Sequence, residues 1–100
     1  MEVRFRTPKL RKQYENKKEA IRAYGEEVGR RYVQRINLIK STRDMDTLKK
    51  LPGLHCHELK GDHMGQWVVD LNGFYRLIFI LEGQSLEIVC IKEVSKHYGD

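Results

Sequence analysis

This sequence is poor in the features that staple a chain or carry it across a membrane. It has two cysteines and two prolines in 100 residues. It contains no apolar run of the roughly eighteen residues a membrane span needs. The opening residues, Met1-Glu2-Val3-Arg4-Phe5, lack the apolar core of a secretion signal. Both absences point to the cytoplasm and away from any membrane. There Cys56 and Cys90 stay reduced, and both read as small buried side chains in strands. No internal repeat or low-complexity segment is present. The length suits a single domain, residues 1–100, whose core is large enough to hold without staples.

Basic residues are scarce in the second half. Residues 1–50 hold 15 Lys and Arg against 7 Asp and Glu, a balance of +8, whereas residues 51–100 hold 4 against 7, a balance of −3. A basic surface of this kind attracts phosphate backbones or an acidic protein partner. A solvated helical face accounts for the same excess.

In chain order, Val3 and Phe5 alternate with Arg4 and Arg6, which suits a short opening strand. Thr7-Pro8 is a helix start, with Thr7 as N-cap and Pro8 in the first turn. Leu10 and Tyr14 share a helix face. Asn16 or Gly25 marks a break. Val28, Tyr32, Ile36 and Ile39 then follow helical spacing, with Arg30, Arg31, Arg35 and Lys40 among the outward positions. The expected arrangement is two helices in a hairpin. Residues 41–44 form a polar link, Asp46 caps one further turn, and Leu51-Pro52-Gly53 ends it.

Residues 54–91 read as a four-stranded antiparallel meander. The expected strands are 54–59, 66–71, 74–81 and 86–91. The connections are a glycine-flanked turn over 60–65, the pair Asn72-Gly73, and Glu82-Gly83-Gln84. Asn-Gly between apolar runs is a strong hairpin signal, because both central residues of a type I′ turn take positive φ. The fold class is α+β: a short N-terminal strand and two helices packed on a mainly antiparallel sheet of four to five strands. The helices must cover one sheet face. The other face is free to form a groove.

Arg76 is the only charge in the apolar strand 74–81. A two-residue turn at Asn72-Gly73 sets Leu71 opposite Phe74, Asp70 opposite Tyr75 and Val69 opposite Arg76. Asp70 and Arg76 would then face opposite ways, and the guanidinium would need another partner. A phosphate suits its planar fork. A distant acid or carbonyl is the structural alternative. His55 and His57 share one face of the expected strand, and Cys56 turns away. That geometry, with no Cys-x-x-Cys pair, argues against a metal site. A histidine beside a phosphate is a natural acid–base group. His55 and His63 read more simply as exposed strand and turn residues. Lys96-His97-Tyr98 offers proton donors and a positive charge, or else a frayed end. Trp67 reads as core.

Three runs carry a resemblance: His57-Glu58-Leu59-Lys60-Gly61-Asp62, Gly65-Gln66-Trp67, and Phe74-Tyr75-Arg76-Leu77-Ile78-Phe79. Together with Leu86-Glu87-Ile88-Val89, His97-Tyr98 and the strand–helix–helix–meander order, they resemble toxins of bacterial type II toxin–antitoxin modules. The likeness is to the HigB branch of the RelE/ParE superfamily and covers nearly the whole chain. It implies a RelE-like fold and an endonuclease that cuts mRNA on the translating ribosome without a cofactor or metal. In such enzymes the ribose 2′-hydroxyl attacks the adjacent phosphate and leaves a cyclic phosphate. By position the resemblance gives catalytic roles to His57, Arg76, His97 and Tyr98, and RNA-backbone contacts to Lys60. The family ending Asp-Tyr-His is replaced here by Lys96-His97-Tyr98. Arg30, Arg31 and Arg35 are expected to dock on ribosomal RNA. His57 is expected to be the dependable proton-transfer residue, because the sheet holds it, and the tail is expected to dock beside the sheet. The implied partners are a helix-turn-helix antitoxin of HigA type, the ribosome and its mRNA. Operator DNA would be reached only through the antitoxin. The superfamily also contains gyrase poisons of ParE type, and a non-catalytic basic RNA- or protein-binding module is the plainest alternative.

Overall fold

A computed structural model describes residues 1–96. The chain runs β1 (Glu2–Phe5), α1 (Pro8–Glu15), α2 (Lys17–Tyr24), α3 (Glu26–Ser41), α4 (Met45–Lys50), β2 (His57–Glu58), a 3-10 turn (Gly61–His63), β3 (Gln66–Asp70), β4 (Tyr75–Glu82) and β5 (Ile88–Lys96). The five strands form one sheet in the order β1-β5-β4-β3-β2. β1 pairs parallel with β5, and every other pairing is antiparallel. The α+β class, the N-terminal strand and the five-stranded, mainly antiparallel sheet are as expected from the sequence.

Local chemistry sets the helix boundaries. Thr7 caps α1 by accepting from the Leu10 amide at 3.2 Å, with Pro8 in the first turn. Both expected break points are used, so three helices stand where a two-helix hairpin was expected. Asn16 ends α1 and caps α2, accepting from the Lys18 amide at 3.1 Å. Gly25 separates α2 from α3 at φ 90°, a value that costs glycine little. The α2–α3 pair closes tightly because position 29 is glycine. A Cβ there would lie 2.6 Å from Ile21 Cα. The cap of α4 is Asp44, whose carboxylate accepts from the Thr47 amide at 2.8 Å and its hydroxyl at 2.7 Å. The sequence alone points to Asp46 for this cap. Asp44 wins because α4 begins at Met45, so its carboxylate reaches back over the first turn to Thr47, three residues on.

The helices cover one face of the sheet. Val28, Tyr32, Ile36 and Ile39 meet Val69, Leu71, Leu77, Phe79, Val89 and Ile91 in one buried cluster with Leu10, Ala20, Leu48 and Leu54. Tyr32 is fully buried, and its hydroxyl donates to the Leu10 carbonyl at 2.7 Å. Burial pushes its phenol above the usual range. Trp67 packs against the same cluster, with the Lys49 ammonium 5.0 Å from its ring centre. Strand alternation turns Asp70, Arg76 and His57 to the other face. No helix among the described residues is long and apolar enough to cross a membrane.

Candidate active site

The far face carries a cavity of about 560 Å³ at its β2–β3–β4 end. Its walls include His55, His57, Lys60, His63, Asp70, Tyr75 and Arg76. Five residues singled out in the sequence, His55, His57, Lys60, His63 and Arg76, are thus brought together, although the chain separates them by up to 21 positions.

The approach to the cavity departs from the expected strand over 54–59. Only His57 and Glu58 pair with β3, opposite Val68 and Trp67. Leu54 is buried in the core, and its carbonyl accepts the Asp70 amide at 2.8 Å. The next residue, His55, takes φ 50°. A side chain larger than glycine pays roughly 1–3 kcal/mol for such a backbone. The break follows from these anchors: Leu54 is committed to the core, His57 to the edge of the sheet, and His55 must turn the chain between them. His55 and His57 therefore do not share a strand face. Their rings are fixed separately.

Each ring is held through Nδ1. His55 Nδ1 lies 2.7 Å from Asp70 Oδ2, and His57 Nδ1 lies 2.7 Å from the His55 carbonyl oxygen. A carbonyl oxygen only accepts, so the hydrogen of that bond sits on His57 Nδ1. When His57 is neutral, its lone pair is then on Nε2, the nitrogen left free. The same logic puts a hydrogen on His55 Nδ1, against a carboxylate.

The register between β3 and β4 differs by one residue from the expected one. Asp70 stands opposite Arg76, and Val69 opposite Leu77. Neither Asn72 nor Gly73 takes the positive φ that a type I′ turn requires. The Asn72 side chain builds the turn instead, its Oδ1 accepting from the Phe74 amide at 2.8 Å and the Tyr75 amide at 2.7 Å. Leu71, fully buried, donates its amide to the Tyr75 carbonyl at 2.9 Å. The wider loop slips the ladder and places Asp70 and Arg76 on one face, which corrects the opposite-face expectation. The two still do not pair. Asp70 is held elsewhere: its amide to Leu54, its carbonyl to Arg35 Nε at 3.0 Å, and its Oδ2 to His55.

Arg76 is left with a buried Nε that has no hydrogen-bond partner. The second acid of the cavity wall, Glu58, accepts from the Gly65 amide at 2.9 Å and ties the loop ahead of β3. Among the described residues no ion pair reaches Lys60 or Arg76. The cavity wall thus has two cations in no ion pair, two carboxylates engaged elsewhere and three imidazoles. Buried donors normally find partners; Arg76 also lines the cavity wall, where a guanidinium suits an incoming anion. No cluster of three or more His, Cys, Asp or Glu side chains placed to hold a metal occurs among the described residues.

The remaining expected site residues fall elsewhere. His97 and Tyr98 lie outside the described residues. The last described pairing sets Lys96 opposite Tyr75 and Ser95 opposite Arg76. Arg31 donates to the Leu71 carbonyl at 2.9 Å, and Arg35 to the Asp70 carbonyl. Both tie α3 to the end of β3 behind the cavity. Burial, with Arg31 nearby, lowers the Arg35 pKa. Arg30 faces solvent and pairs with Glu26 one turn back. Sequence reasoning missed Asp70 and Asn72. The only signal was local: an Asn that can cap its own turn, and an acid six residues before Arg76. Cys56 is partly buried against the core, and burial pushes its thiol up to about 11.

Neither a protein-family model nor a curated protein sequence matches the chain. Solved structures do resemble it. A YoeB/ParE toxin from Agrobacterium tumefaciens superposes with a TM-score of 0.64 at 17% identity, over 98% of this chain and 100% of that one. YafQ from E. coli strain BL21(DE3) gives 0.60 at 12% identity, over 95% and 91%. A chain of a YoeB-YefM complex from Staphylococcus aureus gives 0.59 at 17% identity, over 98% of each chain. At these identities the likeness is one of fold, and it spans almost the whole of each protein. The chain has the α+β fold of the YoeB and YafQ toxins.

Proposed function

We propose that this protein is the toxin of a type II toxin–antitoxin module and that it inhibits translation by cutting mRNA on the ribosome. The observation that carries the reading is the presence of Arg76, which no ion pair reaches among the described residues, in the same cavity as the free Nε2 of His57. In this reading Arg76 receives the scissile phosphate and stabilises the charge that builds on it in the transition state. His57 Nε2 takes the proton of the ribose 2′-hydroxyl. The 2′ oxygen attacks phosphorus, the bond to the 5′ oxygen breaks, and a 2′,3′-cyclic phosphate and a 5′-hydroxyl remain. Lys60 steadies the neighbouring backbone. A third group must give a proton to the leaving oxygen, and the family resemblance offers His97 and Tyr98. No metal is assigned a part.

The placement within the HigB branch rests on the Leu-Lys-Gly-Asp and Gly-Gln-Trp segments, since the solved structures it resembles are YoeB and YafQ proteins. The S. aureus YoeB toxin is found in a heterotetrameric complex with YefM. By analogy this chain pairs in the cytoplasm with an antitoxin, of the helix-turn-helix HigA type if the HigB placement holds. Purified protein incubated with translating ribosomes, and separately with gyrase and supercoiled DNA, tests the reading. Cleaved mRNA with unaffected gyrase is the expected result. Inhibited gyrase with intact mRNA would make it a ParE-type poison instead, and no effect on either would leave a binding module.

A further inference from the structure

The Asp70–His55 pair is not used by the mechanism above, yet three independent observations set it apart. His55 holds a left-handed backbone at φ 50°, a position where strain in a non-glycine residue tends to accompany function. Its ring is exposed, with 73% of the side chain accessible, and still fixed, Nδ1 against Asp70 Oδ2 at 2.7 Å. It lines the same cavity as His57 and Arg76. A bare carboxylate across the ladder from Arg76 would repel a phosphate. The His55 ring caps that carboxylate through Nδ1.

The two rings also differ in what stands behind them. His57 leans on a neutral carbonyl and His55 on a carboxylate. A neutral partner suits the ring that accepts a proton. A carboxylate suits the ring that carries one and gives it up, because it stabilises the imidazolium and fixes its orientation. Both rings are anchored at Nδ1, so both offer Nε2 to a substrate.

We propose that His55 is a further catalytic residue of this site, the acid that protonates the leaving 5′ oxygen, with Asp70 as its positioning residue. The proposal rests on the nuclease reading above. The 2′-hydroxyl proton passes to His57 Nε2 as the 2′ oxygen bonds to phosphorus. The P–O5′ bond breaks, and its electron pair takes the proton from His55 Nε2–H. One proton is accepted and one donated, so the step balances without a further reactant. Exchange with water returns both rings to their starting states. Glu58, Lys60, His63, Tyr75 and Arg76 are the other titratable or charged groups of the wall.

The test replaces the leaving oxygen with sulfur. A thiolate departs without protonation, so loss of the acid no longer matters, whereas loss of the base still does. Wild type is first shown to cut a programmed ribosomal mRNA, and a 5′-bridging sulfur is then placed at that linkage. Single-turnover rates are compared for His55→Asn, Asp70→Asn, His57→Ala and a chain truncated after Lys96. Asparagine is chosen at position 55 because it tolerates the left-handed backbone. We expect His55→Asn to lose roughly 10²–10⁴-fold on the oxygen substrate and to return close to wild type on sulfur. Asp70→Asn should show a smaller loss, in the saturating single-turnover rate and not in the half-saturating concentration, that sulfur also relieves. His57→Ala should stay impaired on both. The proposal is overturned if His55→Asn cuts the oxygen substrate at the wild-type rate, or is equally impaired on both. It is also overturned if sulfur relieves the truncated chain and not His55→Asn. A wild type that cuts no ribosomal mRNA would remove the nuclease reading itself, a different failure from any of these.

Discussion

Asp70 stands across the β3–β4 ladder from Arg76, but its carboxylate binds the His55 ring at 2.7 Å and leaves the guanidinium Nε unpartnered. Two like-facing neighbours of opposite charge would ordinarily pair. Here the strained turn at His55 takes the acid, and α3 holds the Asp70 backbone through Arg35. The site keeps its positive charge available because its nearest acid is occupied.

Arg76→Ala should therefore separate stability from activity. The substitution removes a donor that has no partner, so unfolding should shift by no more than about 1 kcal/mol. Ribosomal mRNA cleavage should fall by roughly 10²–10³-fold, the usual scale for loss of one donor to a developing oxyanion. Urea unfolding and growth inhibition on the same variant check both halves. A toxic, normally folded Arg76→Ala protein would remove its phosphate role.

The three helix arginines should not behave alike. Arg35→Ala cuts the bond from α3 to the Asp70 carbonyl, and a lost charged hydrogen bond at a half-exposed site should cost about 1–2 kcal/mol. Among the described residues Arg30 forms an ion pair only with exposed Glu26, so Arg30→Ala should unfold like wild type. If Arg30 docks on ribosomal RNA, its removal should also flatten the log–log salt dependence of ribosome binding by about one unit. Urea midpoints and a salt titration distinguish the two residues. Equal midpoints would show that the Arg35 bond contributes nothing.

Gly29→Ala tests the helix hairpin. Alanine is the better helix former by about 1 kcal/mol, yet its Cβ would sit 2.6 Å from Ile21 Cα and N and 2.7 Å from the Ala20 carbonyl carbon. Those are backbone atoms that cannot swing away. Overpacking of this kind typically costs about 1–3 kcal/mol, and here it should outweigh the propensity gain. A thermal midpoint that falls supports this packing, and one that rises contradicts it.

The Asp44 cap predicts a pH dependence. Hydrogen bonds from Thr47, side chain first and then amide, hold its carboxyl below the usual value of 3.8. A folded-state value below the unfolded one gives stability that is complete above the unfolded value and lost as pH falls through the folded one. Asp44→Asn keeps a capping oxygen without the charge. Wild type should exceed this variant in stability at neutral pH, and the gap should close as acid is added below pH 3.8. A gap that stays constant down to the acid limit would contradict the charge-based cap.

The general architecture was legible because it rests on local signals that tertiary structure did not override. Thr7-Pro8 starts a helix, Val28 to Ile39 keeps one apolar stripe, and the strands of the meander alternate or run apolar. What was not legible depended on competition between local rules. At Asn72 the side chain outcompeted the type I′ backbone that Asn-Gly usually adopts, and that one-residue slip reversed which face Asp70 shares. At residues 54–59 the burial of Leu54 and the edge pairing of His57 forced a kink at His55 that no periodicity encodes. Arg31 and Arg35 look like surface charges on a helical wheel. Only the docking of α3 on the end of β3 reveals the carbonyls they serve. Arg76 stands out in the sequence as the lone charge in an apolar strand, and His57 through the family resemblance; the structure puts both in one cavity wall. Asp70 was missed because its partner arrives through a turn.

The central claim is that this cavity cuts RNA by transfer through the ribose 2′-hydroxyl, with Arg76 on the phosphate. The most direct measurement is end-group analysis of mRNA from programmed ribosomes treated with wild-type protein and with Arg76→Ala. The account predicts fragments ending in a 2′,3′-cyclic phosphate and beginning with a 5′-hydroxyl, formed by wild type and nearly absent with the variant. Intact mRNA, fragments beginning with a 5′-phosphate, or equal cleavage by Arg76→Ala would contradict it.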